Sequence, residues 1–180
     1  MQNPNFLTTG RMLASTGIVI LLSLPKPGPW TAFFAAMLFS LAAISDYFDG
    51  YFARRFGMIS NFGKIMDPVA DKLLISCSLI MLTALGWIPG WFVCLIIGRE
   101  LAVTGLRIVL ADAGKDVSAG RLGKYKTGFQ IAGIIPLLLH FPLLGINFHG
   151  IGMFFLTGAL ALTIWSGTDY FLKARHLLTA

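Results

Sequence analysis

The chain has 180 residues, of which 56% are hydrophobic and only 12% charged, with a formal net charge of +6 and a mean hydropathy of +0.77. Because soluble domains carry about 25% charged residues, this composition excludes an ordinary soluble domain and predicts an integral membrane protein that is mostly helical. The length predicts a single domain that covers residues 1–180.

Six apolar segments follow one another along the chain, and each approaches the roughly 20 residues that a membrane-spanning helix requires. The segments are 9–25, 31–52, 67–86, 89–110, 127–144 and 150–172. Prolines and glycines interrupt the chain between several of them, as in the stretch Pro-Lys-Pro-Gly-Pro at 25–29. The sequence therefore predicts an all-α protein with six transmembrane helices.

The charged residues predict how these helices are oriented. Thirteen of the 14 Lys and Arg residues lie near the two termini or in regions 53–72 and 99–126, and Lys26 is the exception. By the positive-inside rule those regions face the cytoplasm, and six spans then place both termini there. All eight acidic residues fall on the same side, which predicts a cavity open to the cytoplasm. The positive charge thus reflects topology and anionic lipids and requires no nucleic-acid partner.

Four aspartates form the most informative pattern of the chain, because they fall on two stripes with helical spacing. The first stripe is Asp46, Asp49, Gly50 and Ala53, at i, i+3, i+4 and i+7, and the second is Gly63, Asp67 and Asp71, at i, i+4 and i+8. A turn between the two stripes would let their helices lie antiparallel. The four carboxylates would then converge near the cytoplasmic end.

Four converging carboxylates need a counter-charge in a site of low dielectric constant. Hard oxygen ligands favour Mg²⁺ or Mn²⁺, and a pair of such ions is widely used for phosphoryl displacement. Arg54 lies beside the small residues Gly50 and Ala53, where it would bind a phosphate with both arms of its guanidinium. A single aspartate at a helix end is more often a cap or a solvated residue, but four at matched spacings favour a metal site.

This stretch resembles the signature of the CDP-alcohol phosphotransferases, D-x2-D-G-x2-A-R-x8-G-x3-D-x3-D, at all eight fixed positions. Members of that family transfer a substituted phosphate from a CDP-linked donor to an alcohol and release CMP. The resemblance implies their six-helix fold and cytoplasmic active site, which agree with the hydropathy pattern. It also implies that Asp46, Asp49 and Asp67 bind two metal ions, and that Asp71 takes the proton of the acceptor hydroxyl and contacts a metal.

The same resemblance implies a donor site for CDP-diacylglycerol. Its residues would be Asn5, Thr8, Gly50, Ala53, Arg54, Ser60 and Gly63. The small residues Gly50 and Ala53 would accommodate the cytidine, while Arg54 and Ser60 would hold the nucleotide phosphates. The N-terminal pair would close over the nucleotide, although the polar stretch that contains it equally fits an interfacial anchor.

A second cluster of charge predicts the nature of the acceptor. Arg99 and Arg107 lie eight residues apart, and so share roughly one helix face, and Lys124 and Lys126 follow after a polar turn. An anionic acceptor would account for such a cluster within a bundle, although basic residues next to a membrane also serve topology. Glu100 is expected to pair with a neighbouring base or to help shape the site.

The pattern RE…LR…GK-K-T, together with PN-LT…R and DPVADK, is similar to that of the family members that join CDP-diacylglycerol to sn-glycerol 3-phosphate. This similarity extends over residues 4–130. It implies that Arg99, Arg107, Lys124 and Lys126 hold the acceptor phosphate. It further implies a homodimer, in a bacterial inner membrane, with the active site facing the cytoplasm.

Two alternatives remain open at this stage. Cardiolipin synthases of the same family use phosphatidylglycerol as the acceptor, and its phosphodiester would also suit a basic cluster. A divalent-cation transporter would place carboxylates along its path. Such a path would have to continue to the outer face, where the chain offers Lys26, two His and one Asn.

Overall fold

The computed structural model describes residues 5–25, 27–56, 61–112, 114, 121–141 and 145–178, and for some residues within the helices it describes the backbone alone. Over these ranges the chain is all-α, as the sequence predicts. Its six helices are α1 (Asn5–Leu22), α2 (Pro29–Phe56), α3 (Asn61–Ala84), α4 (Gly90–Asp112), α5 (Arg121–Leu139) and α6 (Phe148–Leu178).

The helices begin and end at turn-forming residues. The first residue of α2 is Pro29, at a position where a missing N–H is not needed. After α3, Gly86 adopts a φ of 71°, and its N–H donates to the carbonyl of Thr83 at 2.9 Å. Before α6, Asn147 accepts a hydrogen bond from the N–H of Gly150 on its Oδ1 at 2.9 Å. The breaks predicted from proline and glycine are therefore confirmed at these points.

The helices extend beyond the apolar segments at their charged ends. Two of them, α2 and α6, continue to Phe56 and Leu178, whereas the corresponding segments end at residues 52 and 172. Hydropathy marks only the apolar part of a helix, while the backbone hydrogen bonds continue through charged residues. The fifth segment was expected to reach residue 144, and this bound is wrong. Helix α5 ends at Leu139, because His140 takes a φ of 37°.

One apolar core joins all six helices. Its fully buried side chains include Ile18 of α1, Phe39 of α2, Leu82 of α3, Ile96 of α4, Leu137 of α5 and Leu156 of α6. Helix α1 contacts α2 and α3, α5 contacts α2, α3 and α6, and α4 contacts α3 and α6. This arrangement brings the polar residues of α3, α4 and α5 around a common space.

Helices α5 and α6 come into close backbone contact where Gly133 and Gly152 face each other. A Cβ atom added to Gly152 would lie 2.5 Å from Cγ of Leu137 and 2.9 Å from the carbonyl oxygen of Gly133. A Cβ atom added to Gly133 would lie 3.0 Å from the backbone nitrogen of Leu156. Because backbone atoms form part of each contact, neither position has room for a side chain.

We expect Gly152→Ala to lower the free energy of unfolding by about 1–3 kcal/mol, because overpacking at a backbone contact forces the two helices apart. Thermal unfolding of the purified protein would measure this loss. The matched control is Gly98→Ala on α4, where an added Cβ meets nothing within 4 Å. There the higher helix propensity of alanine should leave stability unchanged or raised. Equal unfolding midpoints for the two variants would contradict the close crossing.

Large apolar side chains also cover the outside of the bundle. Trp30, Trp91, Phe154 and Trp165 are 76%, 60%, 72% and 69% exposed. Apolar surface of this kind marks contact with a membrane or another apolar partner. Among the described residues, one helical stretch has the length and composition to cross a membrane, Phe148–Leu172 with 25 residues. Three shorter apolar stretches are Thr9–Leu22, Pro29–Ser45 and Lys72–Ala84.

Candidate active site

The four aspartates predicted to bind metal lie on two consecutive helices. Asp46 and Asp49 belong to the second half of α2, and Asp67 and Asp71 to the first half of α3. The four residues between the helices allow their facing ends to be at most about 19 Å apart, measured between Cα atoms. The aspartate side chains lie outside the described part of the structure, so their convergence stays a prediction.

The residues predicted to hold the CDP-linked donor occupy the same two helices and α1. Gly50, Ala53 and Arg54 lie on α2, Gly63 on α3, and Asn5 and Thr8 on α1. Ser60 lies outside the described residues, and so do the side chains of the others. Their helices are therefore defined, while their roles in donor binding stay predictions.

A cavity of about 210 Å³ lies among α3, α4 and α5. Its wall combines apolar side chains with polar and charged ones. The lining residues are Lys72, Ile75 and Ser76 of α3, Ile96, Ile97, Glu100 and Arg107 of α4, and Thr127 and Gln130 of α5. Arg107 is exposed and Gln130 is fully buried, so the cavity leads from the surface into the interior of the bundle.

Helical spacing explains why three helices supply this wall. Glu100 and Arg107 are seven residues apart on α4, which brings them within about 20° of the same direction. On α3, Lys72 and Ser76 are separated by one turn, at i and i+4. The two residues from α5 are separated by three positions, which again places them on one face. Each helix therefore presents a short polar stripe to the cavity within an otherwise apolar sequence.

A buried ion pair ties two of the helices together beside the cavity. Lys126 of α5 is only 5% exposed, and its Nζ donates to Oε1 of Glu100 on α4. The expectation that Glu100 pairs with a neighbouring base is thereby confirmed. Lys72 of α3 donates to Oγ1 of Thr104, which itself donates to the backbone carbonyl of Glu100 at 2.7 Å. These contacts join α3, α4 and α5 around the cavity.

We expect Glu100→Gln to lower the free energy of unfolding by about 3 kcal/mol, because it leaves the Lys126 ammonium buried without a counter-charge. The double variant Glu100→Gln/Lys126→Met removes both charges and should recover most of that loss. Denaturant unfolding of the two single variants and the double variant gives the coupling energy directly. If the effects of the two single substitutions simply add, the interaction between Glu100 and Lys126 contributes nothing to stability.

Arg99 and Arg107, which the sequence predicted to share roughly one helix face, make different contacts, although their charges lie close enough to interact. Arg99 donates from Nη2 to Oγ of Ser166 on α6 at 2.8 Å, and its side chain packs against Gly167. Arg107 lines the cavity instead. Eight residues correspond to about 800° of helix rotation, which leaves the two side chains about 80° apart. The residue that shares the face of Arg107 is Glu100, seven positions before it.

The described side chains that line the cavity carry an excess of positive charge. Lys72 and Arg107 line it as cations, while the carboxylate of Glu100 is already engaged by Lys126. An arginine fork and an ammonium suit an anion such as phosphate. Lys124, which was also predicted to hold the acceptor, lies on α5, and its side chain is outside the described part of the structure.

Several residues of this site escaped the sequence predictions, and the polar ones among them include Lys72, Thr104 and Gln130. A signal for them exists in the sequence. Lys72 directly follows Asp71 at the end of the stretch DPVADK. Counted from Glu100, Thr104 is at i+4 and Arg107 at i+7, so the three residues share a helix face. Gln130 is a strongly polar residue within an apolar segment, at i+4 from Lys126. Polar residues at helical spacing inside an apolar run are a pattern that predicts a shared polar face.

The comparisons with known proteins identify the family of the chain. A model of the CDP-alcohol phosphatidyltransferase family matches residues 1–165, and the chain belongs to that family. It is 46% identical over 141 residues to the CDP-diacylglycerol–glycerol-3-phosphate 3-phosphatidyltransferase of Bacillus subtilis (strain 168), which covers 77% of this chain and 72% of that protein. It is 35% identical over 178 residues to the protein of the same name from Escherichia coli (strain K12), which covers 96% and 94%. The resemblance inferred from the aspartate motif is thereby confirmed.

Proposed function

We propose that this protein transfers the phosphatidyl group of CDP-diacylglycerol to sn-glycerol 3-phosphate, giving phosphatidylglycerol phosphate and CMP. The observation that carries the proposal is the identity of 46% and 35% with two relatives that bear the name of this reaction. The positively charged cavity supports it independently, because the acceptor is a small anion.

In the proposed reaction, the primary hydroxyl of the acceptor attacks the phosphorus atom of the phosphatidyl group. A new P–O bond forms while the P–O bond to CMP breaks, and CMP leaves with the bonding electrons. Asp71 takes the proton of the attacking hydroxyl, which is a poor nucleophile until a base assists it. The neighbour Lys72 and the residue one turn later, Ile75, both line the acceptor cavity, which supports this role for Asp71.

The donor set of the aspartates suits two Mg²⁺ ions, and Mn²⁺ is chemically equivalent here. The ions would be held by Asp46, Asp49, Asp67 and Asp71, four hard oxygen ligands at helical spacing on consecutive helices. Bound metal would neutralise the charge that develops on the cleaved pyrophosphate.

The donor would be bound by the residues of α1, α2 and α3 that precede or overlap the aspartates. Arg54 and Ser60 bind the nucleotide phosphates in this proposal, and Asn5 and Thr8 close over the nucleotide. The small residues Gly50, Ala53 and Gly63 leave room for the cytidine and the backbone of the donor.

The acceptor phosphate would be bound by basic residues of α4 and α5. The proposed set is Arg99, Arg107, Lys124 and Lys126, to which the cavity adds Lys72. Arg107 and Lys72 contact the phosphate in this arrangement, because they line the cavity. Lys126 acts through its ion pair with Glu100, and Arg99 through its contact with α6.

We further propose that all six helices span a bacterial inner membrane, with both termini and the active site at the cytoplasmic side and with a homodimer as the working form. The distribution of Lys and Arg supports the orientation, and the exposed tryptophans and phenylalanines support contact with lipid. The shortest helix, α1, has 18 residues and a length of about 27 Å, close to the thickness of the hydrocarbon core.

The test of the proposed function is CMP release by the purified protein in detergent, with CDP-diacylglycerol and Mg²⁺. Release that requires both sn-glycerol 3-phosphate and the metal ion is the expected result. Release that requires phosphatidylglycerol instead would keep the family and change the product to cardiolipin. A protein that releases no CMP with either acceptor, but takes up divalent metal in proteoliposomes, would be a transporter.

A further inference from the structure

Gln130 is a buried polar residue whose hydrogen bonds are not accounted for by the described residues. Its side chain is 0% exposed, and neither Oε1 nor Nε2 has a hydrogen-bond partner in the described part of the chain. Buried amides are almost always hydrogen-bonded, because desolvation without a partner is costly. Gln130 also lines the positively charged cavity, so a ligand in that cavity lies within its reach.

We propose that Gln130 is a specificity-determining residue that binds the secondary hydroxyl of the acceptor. This inference rests on the proposed function, since it assigns a group of sn-glycerol 3-phosphate to a residue of the same cavity. A hydroxyl donates one hydrogen bond and accepts others, and a carboxamide offers both an acceptor and a donor. One hydroxyl therefore satisfies Oε1 and Nε2 together, which a phosphate oxygen does not, since it only accepts.

The positions of the lining residues fit this division of the acceptor. The cationic residues Lys72 and Arg107 supply the phosphate end, and Arg107 is exposed at the surface. Gln130 supplies a neutral end inside the bundle, with no charge of its own to attract an anion. The acceptor is likewise anionic at one end and neutral along its polyol portion. Gln130 thus tells a polyol phosphate from an alkyl phosphate, whereas the cations bind both.

The experiment compares sn-glycerol 3-phosphate with 3-hydroxypropyl phosphate, which keeps the attacking primary hydroxyl and the phosphate and lacks only the secondary hydroxyl. The wild-type protein should prefer the natural acceptor by at least about tenfold in kcat/KM, because a site built to bind a hydroxyl rejects the analogue without it. In Gln130→Leu, which removes both amide atoms at similar volume, this preference should fall to about unity. The KM for CDP-diacylglycerol should stay at its wild-type value.

Two controls separate recognition from folding. Ser78→Ala removes a buried hydroxyl of α3 whose hydrogen bond, among the described residues, goes to the carbonyl of Leu74 in the same helix, and it should retain the full preference. Gln130→Asn keeps the amide group on a side chain that is shorter by one methylene, and it should retain part of the preference for sn-glycerol 3-phosphate. If Gln130→Leu does not fold, the Asn variant still decides, since an undiminished preference there would overturn the proposal.

The outcomes distinguish this inference from the proposed function. A wild-type protein that uses sn-glycerol 3-phosphate, together with a Gln130→Leu variant that keeps the full preference, would overturn the role of Gln130 alone. A wild-type protein that does not use sn-glycerol 3-phosphate would overturn the proposed function and this inference with it. Loss of preference in the variant with unchanged thermal stability is the result expected from hydroxyl recognition.

Discussion

Asp71→Asn is expected to lower kcat by at least about a thousandfold, because a carboxamide cannot take the proton of the acceptor hydroxyl and is a weaker metal ligand. Asparagine has nearly the size of aspartate, so the thermal unfolding midpoint should remain close to that of the wild type. The rate of CMP release with saturating CDP-diacylglycerol and sn-glycerol 3-phosphate measures kcat, and a thermal unfolding curve gives the midpoint.

A matched control for this substitution is Asp112→Asn, at the exposed C-terminal end of α4. It makes the same chemical change on the outside of the bundle and should leave kcat unchanged. Near-normal turnover in Asp71→Asn would remove Asp71 as the base and transfer that role to another group. A loss of activity accompanied by a large fall in the unfolding midpoint would instead indicate a structural role.

Arg107→Gln is expected to raise the KM for sn-glycerol 3-phosphate by about 10- to 100-fold, with a smaller change in kcat. Arg107 lines the cavity as an exposed cation, and a charge-assisted hydrogen bond to phosphate contributes about 1.5–3 kcal/mol. A rise in KM alone is the signature of a contact present in both the ground state and the transition state. Initial rates over a series of acceptor concentrations, at fixed CDP-diacylglycerol, give both constants.

Two further variants define the role of this arginine. Arg107→Lys keeps the charge without the planar fork and should recover only part of the affinity. Arg99→Gln breaks the hydrogen bond to Ser166 on α6, so its main effect should be on the unfolding midpoint. An unchanged KM in Arg107→Gln would show that the acceptor phosphate binds elsewhere. A larger rise in KM for Arg99→Gln than for Arg107→Gln would assign the direct contact to Arg99.

The number of helices follows from the apolar segments, because a run of apolar residues bounded by proline or glycine determines where a helix can form. Several helices extend beyond those segments into charged or polar sequence that is still helical. This holds for α2 and α6 at their ends and for α3 and α5 at their starts. The end of α5 could not be predicted from hydropathy. It depends on the positive φ of His140, and the apolar side chains beyond it read as a continuation of the segment.

The site was predicted unevenly for a physical reason. The aspartate motif is local in sequence, so its spacing and its family can be recognised without knowing how the helices pack. The cavity depends on which faces of α3, α4 and α5 meet, and that is a property of tertiary packing. Arg99 and Arg107 were therefore assigned to one face, although the rotation over eight residues separates them. For Gln130 the sequence offers its helical spacing from Lys126, but its burial and its unmatched amide are known only from the structure.

The contact between Gly133 of α5 and Gly152 of α6 is a point about which α5, one wall of the cavity, could tilt. Gln130 lies three residues from Gly133, or about 4.5 Å along the axis, and Arg121 lies twelve residues away, or about 18 Å. A tilt of α5 by about 5° at the contact would move Gln130 by about 0.4 Å and Arg121 by about 1.6 Å. The inner end of the cavity would therefore move little in such a tilt, while the basic end of α5 would move further, against the restraint of the Lys126–Glu100 pair. Weakening the Lys126–Glu100 pair would therefore affect binding of the acceptor phosphate before it affected hydroxyl recognition by Gln130.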